Sequence, residues 1–423
     1  MLGRIFKDLN NRQKWDIFWI GIIQVANYMF PFVTTGYLLR TLGLEYLGRL
    51  EFATYLILYF VTLVNYEYHI SGTRDLSRIK HNHNEVSHEV SVLITTKSYL
   101  FVLSTILFLV IQLLWPDRFR NALFNASYLI VVGHLLYQPY VFLSLNKVRV
   151  LAVLNFLLKA LSTLLIFVSV KSPESYVSVN LNYSISQILI GILSMVLIQH
   201  YFKLKLCWKP FGEVWKSLKR GLYIFLTNGV MAQLSLNLIQ LLMGLYLLPE
   251  ILGSYTSVLK VVIAIHVLSM MPLKQVFFPE LASLWAKNRK DYLKKFKTYT
   301  TLLLAGNILA AATLFIFAPT IIRIYAGDYI EPMIEILRWL AYVPLVMGLT
   351  NAYIFDGLIA MGKDKLVFRL QVGITIPYIV LLMLLVPRYG LIAALVIRLS
   401  VEVLNLIIGM IYYYRNLRKV PLE

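Results

Sequence analysis

The chain has 423 residues, of which 59% are hydrophobic and only 14% are charged, and its mean hydropathy is +0.70. Soluble domains carry roughly a quarter charged residues, so this composition excludes a soluble globular protein and predicts a membrane protein with several spans. The 40 Lys and Arg residues outnumber the 21 Asp and Glu residues, and the single cysteine excludes an intrachain disulfide.

Apolar stretches of about 18 residues or more, each long enough to cross the hydrocarbon core of a bilayer, recur along the chain. Lipid offers no partner to backbone polar groups, so the spans must be helices. The basic N-terminal segment leads into an apolar stretch without a small-residue cleavage site, which predicts a first membrane helix rather than a signal peptide. Hydropathy predicts twelve transmembrane helices, at residues 15–39, 51–69, 91–114, 122–145, 150–170, 175–199, 221–247, 252–277, 299–318, 332–354, 366–386 and 390–412.

The basic residues lie mainly on one side of this predicted topology. With the N-terminus in the cytoplasm, 27 of the 40 Lys and Arg residues fall in cytoplasmic segments, seven in outside loops and six within helices. This asymmetry follows the positive-inside rule and predicts that both termini are cytoplasmic. Topology therefore explains the net charge, and we expect no nucleic acid as a partner. Two cytoplasmic segments, 209–221 and 280–299, are amphipathic and predict helices lying on the anionic inner leaflet.

A weak internal repeat divides the predicted helices into two sets of six. "LEYLG" at 44–48 recurs as "PEILG" at 249–253, and at the same offset Asp75-Leu76 falls on Glu280-Leu281. Six spans are an even number, so both halves enter the membrane with the same orientation, as in parallel repeats of transporters. The predicted fold is an all-α membrane protein whose two six-helix bundles, 1–205 and 206–423, enclose a central cavity. A basic cytoplasmic linker at about 200–220 joins them.

Several stretches of the sequence together resemble a known family. They are "NYMFPFVTTGYLLRTLGLEYLGRLEFA" (27–53), "NYEYHISGTRDLSR" (65–78), "GSYTSVLKVVIAIHVLSMMPLKQVFFPELASL" (253–284), "LRWLAYVPLVMGLTNAYIFDGLIAMGKDK" (337–365) and "VPRYGLIAALVIRLSVEVLN" (386–405). In this order they resemble the Wzx-type polysaccharide repeat-unit flippases, within the multidrug/oligosaccharidyl-lipid/polysaccharide exporter superfamily. Each motif is a loose pattern of Gly, Pro and apolar residues, so the resemblance depends on their combination.

The resemblance implies a flippase of the bacterial cytoplasmic (inner) membrane. Its implied substrate is an undecaprenyl-pyrophosphate-linked oligosaccharide, which moves from the inner to the outer leaflet during biosynthesis of a surface polysaccharide such as the O-antigen of lipopolysaccharide. Membrane lipids are implied partners, as are the polymerase and chain-length proteins of the same pathway.

The charged residues within the predicted helices fit an anionic substrate, because a pyrophosphate cannot cross hydrocarbon without compensating charge. Only Glu67 and Glu402 are acids clearly within spans, and they are candidate proton-coupling or counter-ion sites. His69, at the inner end of a span, is a candidate to meet the pyrophosphate first. The predicted substrate-binding bases are Lys97, Lys159, Lys260, Lys274, Arg338 and Arg398. Six bases against two acids predict an electropositive interior.

Some of these bases have a structural alternative. Arg398 and Glu402 are four residues apart on one helical face, so they could neutralise each other. Lys97, Lys274 and Arg338 lie close enough to span ends to extend their charge to the headgroups.

Two further predictions follow from position. Lys159 and Lys260 lie deeper in their spans, and we expect them to face a hydrated cavity. At the repeat offset Lys274 corresponds to His69, which predicts a pseudo-symmetric pair at the inner mouth of the cavity.

Two other classes of function remain to be weighed. A membrane polysaccharide polymerase or glycosyltransferase would be expected to carry catalytic residues on a large outer loop, whereas the predicted outer loops are short and lack acid-base constellations. We therefore expect no enzymatic activity, no catalytic residues and no metal site. A multidrug antiporter of the same superfamily would share the fold and differ in cavity charge. No nucleotide-binding motif occurs, so lipid turnover or a proton or sodium gradient is the expected driving force, with no cofactor.

Overall fold

The computed structural model describes residues 11–418, and every regular element in that range is helical. The chain divides into an N-terminal unit that ends at Leu241 and a C-terminal unit that begins at Leu242. The domain boundary near residue 205, which the repeat predicts, stays a prediction.

The N-terminal unit contains long helices joined by short turns. A 3₁₀ turn covers Pro173–Ser175 and π-helical turns cover Leu197–Tyr201 and Phe225–Met231. The α-helices are α1 (Asn11–Asn65), α2 (Ser71–Ile79), α3 (His83–Leu114), α4 (Pro116–Phe119), α5 (Ala122–Leu136), α6 (Pro139–Ser144), α7 (Val148–Ser169), α8 (Tyr176–Val196), α9 (Phe211–Ile224) and α10 (Ala232–Tyr246), the last of which continues into the C-terminal unit.

The C-terminal unit also consists mainly of helices joined by short turns. A π-helical segment, Asn351–Leu358, follows α15 without interruption. The α-helices are α11 (Pro249–Lys287), α12 (Arg289–Ile316), α13 (Ala318–Ala326), α14 (Glu331–Leu340), α15 (Val343–Thr350) and α16 (Asp364–Arg418).

Ten helical segments of the described chain are long and apolar enough to cross a membrane, judged by length and composition. They carry exposed apolar stripes, as on α3, where Val102, Leu103, Ile106, Val110 and Leu113 are all more than 40% exposed. Such a continuous apolar surface is unfavourable in water and suits lipid. The protein is therefore a multi-pass membrane protein.

Two of the helices are longer than a single span requires. Helices α1 and α16 each have 55 residues, or roughly 80 Å at 1.5 Å per residue. Each contains one glycine with a positive φ, Gly43 (77°) in α1 and Gly390 (61°) in α16. Only glycine adopts this conformation at little cost, so it breaks the helix there. The sequence-predicted loop at 40–50 is wrong in this respect, because the chain is helical on both sides of Gly43.

The internal repeat has local counterparts in the structure. Gly43 lies 205 residues before Leu248, which is the residue between α10 and α11. Leu76 and Leu281, matched by the same offset, are both fully buried in their units. The two halves therefore break their helices at equivalent positions.

The two predicted surface helices differ in outcome. Residues 209–221 contribute α9, whose Val214 is buried while Trp215 is half exposed. Residues 280–299 do not form a separate helix on the leaflet: they are the end of α11 and the start of α12, with Asn288 capping α12. Phe296, on the apolar face of this segment, is 5% exposed and stacks on Tyr413 with ring centroids 4.5 Å apart.

Candidate functional site

The N-terminal unit contains a small cavity, lined in part by polar side chains, where α1, α3, α5 and α6 meet. Its volume is about 180 Å³, which exceeds the ≈30 Å³ that one water molecule occupies in the liquid. The lining residues are Asn65, Tyr68, His69, Lys97, His134, Tyr137, Pro139 and Tyr140. Two of the sequence-predicted substrate-binding residues, His69 and Lys97, thus line one cavity.

Lys97 is fully engaged by the C-terminal end of α5. Its Nζ donates to the carbonyl oxygens of His134 (2.6 Å) and Tyr137 (3.1 Å) and to Oε1 of Gln138 (3.1 Å). These three acceptors use the three protons of an ammonium group, and a cation is favourable at a helix C-terminus. Lys97 is 1% exposed, so the alternative that it extends to the headgroups is wrong.

His134 connects Lys97 to a second base. Its Nδ1 lies 3.3 Å from Nδ2 of Asn65, which joins α5 to α1, and it interacts electrostatically with both Lys97 and Lys159. Within residues 11–418 neither lysine has a carboxylate partner at ion-pair distance. The N-terminal unit therefore holds two lysines around His134 that no carboxylate neutralises.

The turn after α1 places an acid beside the cavity. Helix α1 ends at Asn65, earlier than the sequence predicts, and the next two residues have positive φ angles, 46° for Tyr66 and 53° for Glu67. Such angles are unfavourable for residues other than glycine and persist where the surroundings enforce them. Here Tyr66 stacks on Phe225 and donates to the carbonyl oxygen of Leu218.

Glu67 and His69 form an ion pair in this turn. The Glu67 Oε2 atom lies 3.2 Å from Nδ1 of His69, and the two side chains are 13% and 54% exposed. Burial raises the pKa of the Glu67 carboxyl, and a charge on His69 lowers it. Glu67 thus lies beside a base, and its role as a proton-coupling or counter-ion site stays a prediction.

The C-terminal unit holds a buried carboxylate, Asp356, in the π-helical segment after α15. Asp356 is completely buried. Its Oδ2 accepts a 2.6 Å hydrogen bond from the Tyr299 hydroxyl, and its Oδ1 lies 3.1 Å from Nζ of Lys274. The Lys274 side chain is 41% exposed. The alternative that Lys274 only extends towards headgroups is therefore wrong, since it pairs with Asp356.

A second ion pair lies on α16. Nη2 of Arg398 is 3.5 Å from Oε1 of Glu402, as their spacing of four residues predicts. Arg398 is 6% exposed, and Tyr255 and Tyr378 interact with it electrostatically from α11 and from the other part of α16. This arrangement confirms the prediction that Arg398 and Glu402 are paired.

The other two predicted bases lie on α11 and α14. Lys260 is partly buried on α11. Arg338 is exposed at the end of α14, where its guanidinium lies 5.9 Å from the ring centroid of Phe315. The structure thus groups Lys97, Lys159 and His69 in one unit, and it pairs Lys274 and Arg398 with acids in the other.

Sequence reasoning missed Asp356 as a site residue. It placed Asp356 at a helix end, where a carboxylate is ordinarily solvated. The chain is helical through residues 351–360, which buries the side chain. The signal available in the sequence was a single acid within the otherwise apolar run "NAYIFDGLIA".

The sequence of this chain matches a known protein family. A family model described as polysaccharide biosynthesis protein matches residues 14–285, which is more than half of the chain. The chain belongs to this family.

Two curated relatives cover nearly the whole of this polysaccharide biosynthesis protein. One, from Escherichia coli (strain K12), is 22% identical over 92% of this chain and 94% of its own length. The other, from Shigella dysenteriae, is 24% identical over 92% of this chain and 97% of its own length. Both carry the name "Putative O-antigen transporter". The resemblance to polysaccharide repeat-unit flippases is thereby confirmed.

Solved structures show the same fold. The lipid II flippase MurJ in an inward closed conformation has a TM-score of 0.69 at 14% identity, covering 95% of this chain and 88% of that one. An inward-facing multidrug resistance transporter of the MATE family has a TM-score of 0.61 at 13% identity, covering 96% and 98%. The family member described here therefore has the fold of the superfamily that includes lipid flippases and drug transporters.

Proposed function

We propose that this protein is a flippase that moves undecaprenyl-pyrophosphate-linked oligosaccharide units from the inner to the outer leaflet of the bacterial cytoplasmic membrane. Family membership and the two relatives named for O-antigen transport support a transporter of polysaccharide precursors. The observation that carries the substrate class is the pair of lysines around His134, which no described carboxylate neutralises. Buried positive charge without an acid favours an anionic ligand.

The proposed topology has twelve spans and two cytoplasmic termini. If the breaks at Gly43 and Gly390 each lie between two spans, the ten candidate helices become twelve. This number agrees with the hydropathy and with the distribution of Lys and Arg. Six spans in each half support alternating access by two parallel repeats.

Export in cells tests the proposal. Cells that lack the gene would be complemented with the wild type, with Lys159→Gln or with Lys80→Gln, an exposed base used as the matched control. Undecaprenyl-linked oligosaccharides and surface polysaccharide would then be quantified together. We expect the null strain to accumulate lipid-linked units and lose surface polymer, Lys159→Gln to do so in part, and Lys80→Gln to restore export.

One result would favour the drug-transporter branch of the superfamily instead. If the null strain accumulates no lipid-linked units and loses tolerance to cationic drugs, the proposed substrate is wrong. A shared fold alone does not distinguish these functions, so the experiment must measure both the lipid-linked units and the tolerance to cationic drugs.

A further inference from the structure

The Lys274–Asp356 pair in the C-terminal unit is asymmetric in its exposure. Asp356 is fully buried, whereas 41% of the Lys274 side chain is exposed. An incoming anion can therefore reach the lysine but not the carboxylate. Because Oδ2 is bound by Tyr299 and Oδ1 only by Lys274, loss of the lysine leaves one buried carboxylate oxygen without a cation.

We propose that Asp356 is a proton-binding site that fills when an anionic headgroup draws Lys274 away. This inference deepens the proposed function, because it rests on Lys274 being one of the bases that meet the pyrophosphate. A buried carboxylate that loses its cation is strongly unfavourable, and uptake of one proton from water on Oδ1 removes the charge. Anion binding and proton binding then promote each other, as linkage requires.

Among the described residues, the groups that interact with Asp356 besides Lys274 are tyrosines. Helix α12 provides Tyr299, which donates to Oδ2, and Tyr292, which interacts with Asp356 electrostatically. Helix α16 provides Tyr413, whose ring packs against the residue that follows Asp356. Helix α11 provides Lys274. A tyrosine can donate a hydrogen bond but carries no positive charge, so a proton is the remaining way to neutralise the acid.

A second lysine–carboxylate pair in the same unit offers a matched control. Lys295 lies 2.8 Å from Oε1 of Glu280, and here the lysine side chain is 10% exposed while the Glu280 side chain is 33% exposed. Because Glu280 is partly exposed whereas Asp356 is fully buried, water can approach this acid when its partner moves, and no proton uptake is expected. Glu280→Gln should therefore leave the linkage unchanged.

The test measures binding of inorganic pyrophosphate to the purified full chain in nanodiscs of uncharged phosphatidylcholine, by calorimetry over pH 6 to 8. One linked proton makes affinity change by about tenfold per pH unit. For each unit by which pH falls, we expect the affinity of the wild type for pyrophosphate to rise. This rise should be about tenfold greater than the rise for Asp356→Asn. Comparing slopes cancels the titration of pyrophosphate itself. Equal slopes would overturn the proposal.

Infrared difference spectra measure the protonation of the Asp356 carboxyl group directly. Pyrophosphate should produce the C=O band of a protonated carboxylic acid in the wild type and in Glu280→Gln, and no such band in Asp356→Asn. In Lys274→Gln the acid has no cation, so its protonated band should be present before any anion is added. A wild-type band that persists in Asp356→Asn, or its absence from Lys274→Gln, contradicts the assignment.

This result is separable from the export assay. If pyrophosphate binds with the linked proton while the null strain exports polysaccharide normally, the proton site stands and the proposed flippase function fails. If export depends on the protein but pyrophosphate binding shows no Asp356-dependent proton, the flippase stands and this inference fails.

Discussion

Two lysines in the N-terminal unit, Lys97 and Lys159, differ in whether their ammonium groups are held by hydrogen bonds. Lys97 on α3 and Lys159 on α7 both interact electrostatically with His134, yet only Lys97 has its three donors satisfied by fixed oxygen atoms. A lysine bound in this way stabilises the end of α5. A lysine without described acceptors for its ammonium group can respond to a ligand.

Substituting these two lysines should therefore produce different defects. Lys97→Met leaves three buried acceptors without a donor, and breaking such a buried charged interaction destabilises a protein by about 3 kcal/mol. We expect a clear fall in the melting temperature of the purified protein. Lys159→Met should keep a melting temperature close to the wild type and still reduce export several-fold in cells. Equal losses of stability would show that both lysines are structural.

Glu67 predicts a pH dependence of stability. Burial raises its pKa above the ordinary value of 4.5, so the folded protein holds this proton more tightly than the unfolded chain. The resulting stability is complete below that ordinary value and is lost as pH rises through the raised pKa.

The substitution Glu67→Gln should remove this loss of folding stability at high pH. Its melting temperature should match the wild type at pH 4 and exceed it at pH 8, measured by thermal unfolding across that range. Glu45→Gln is the matched control, since Glu45 is an exposed acid paired with Arg49. If the two variants show the same pH profile, burial of Glu67 is not the cause.

Among the helices, α5 and α8 pack closely against each other at two glycines. A Cβ atom on Gly133 of α5 would lie 2.4 Å from Cγ of Gln187 on α8, and one on Gly191 of α8 would lie 2.7 Å from Cβ of Leu136. Small residues let helix backbones approach closely, which is a principal source of helix association in membranes.

Even a methyl group at this contact should separate the helices. Gly191→Ala should destabilise the protein by about 1–3 kcal/mol, the usual effect of overpacking. Gly306→Ala, on α12, is the control, because its Cβ would meet open space. It should stabilise the helix slightly, by up to about 1 kcal/mol. Thermal unfolding of the two variants should shift in opposite directions, and a shift in the same direction would contradict close packing at Gly191.

The elements also show how far sequence reasoning extends. Hydropathy located the helices, because burial in lipid depends on composition over many residues. It placed a loop at 40–50, where the structure has helix interrupted only at Gly43. Hydropathy cannot see a helix that continues through charged residues such as Glu45 and Arg49, which pair with each other. The Arg398–Glu402 pair was predictable because both residues lie on one helix.

Contacts between distant segments were not predictable in this way. The partner of Lys274 is 82 positions away, at Asp356, and that of Lys97 is the end of another helix. No local pattern encodes these contacts. The electropositive interior inferred from six bases and two acids is accordingly weaker than predicted, because Glu51 and Asp356 are buried acids as well and Asp356 pairs with one of the bases.

At the scale of the whole molecule, the proposed twelve spans determine which side of the membrane each loop faces. The native cysteine, Cys207, is exposed in the segment between α8 and α9. This segment lies along the first turns of α3, where Ser87 donates to the carbonyl oxygen of Lys205. Its high content of basic residues predicts a cytoplasmic position.

Labelling with a membrane-impermeant thiol reagent tests the topology. Cys207 should react in inside-out vesicles and not in right-side-out vesicles. In a Cys207→Ser background, Lys80→Cys should behave as Cys207 does, whereas Arg40→Cys and Lys171→Cys should react only from outside. All of these positions are exposed.

Arg40 decides whether the break at Gly43 separates two spans. If the chain crosses the membrane on both sides of Gly43, Arg40→Cys lies outside and Lys80→Cys lies inside. If α1 crosses only once, its residues near Gly43 lie within the bilayer, and Arg40→Cys should be protected from the reagent on both sides. Because each added span reverses every later loop, opposite labelling of Arg40→Cys and Lys80→Cys supports a break between two spans. Protection of Arg40→Cys would reduce the proposed twelve spans to eleven and would remove the even division on which the parallel repeat depends.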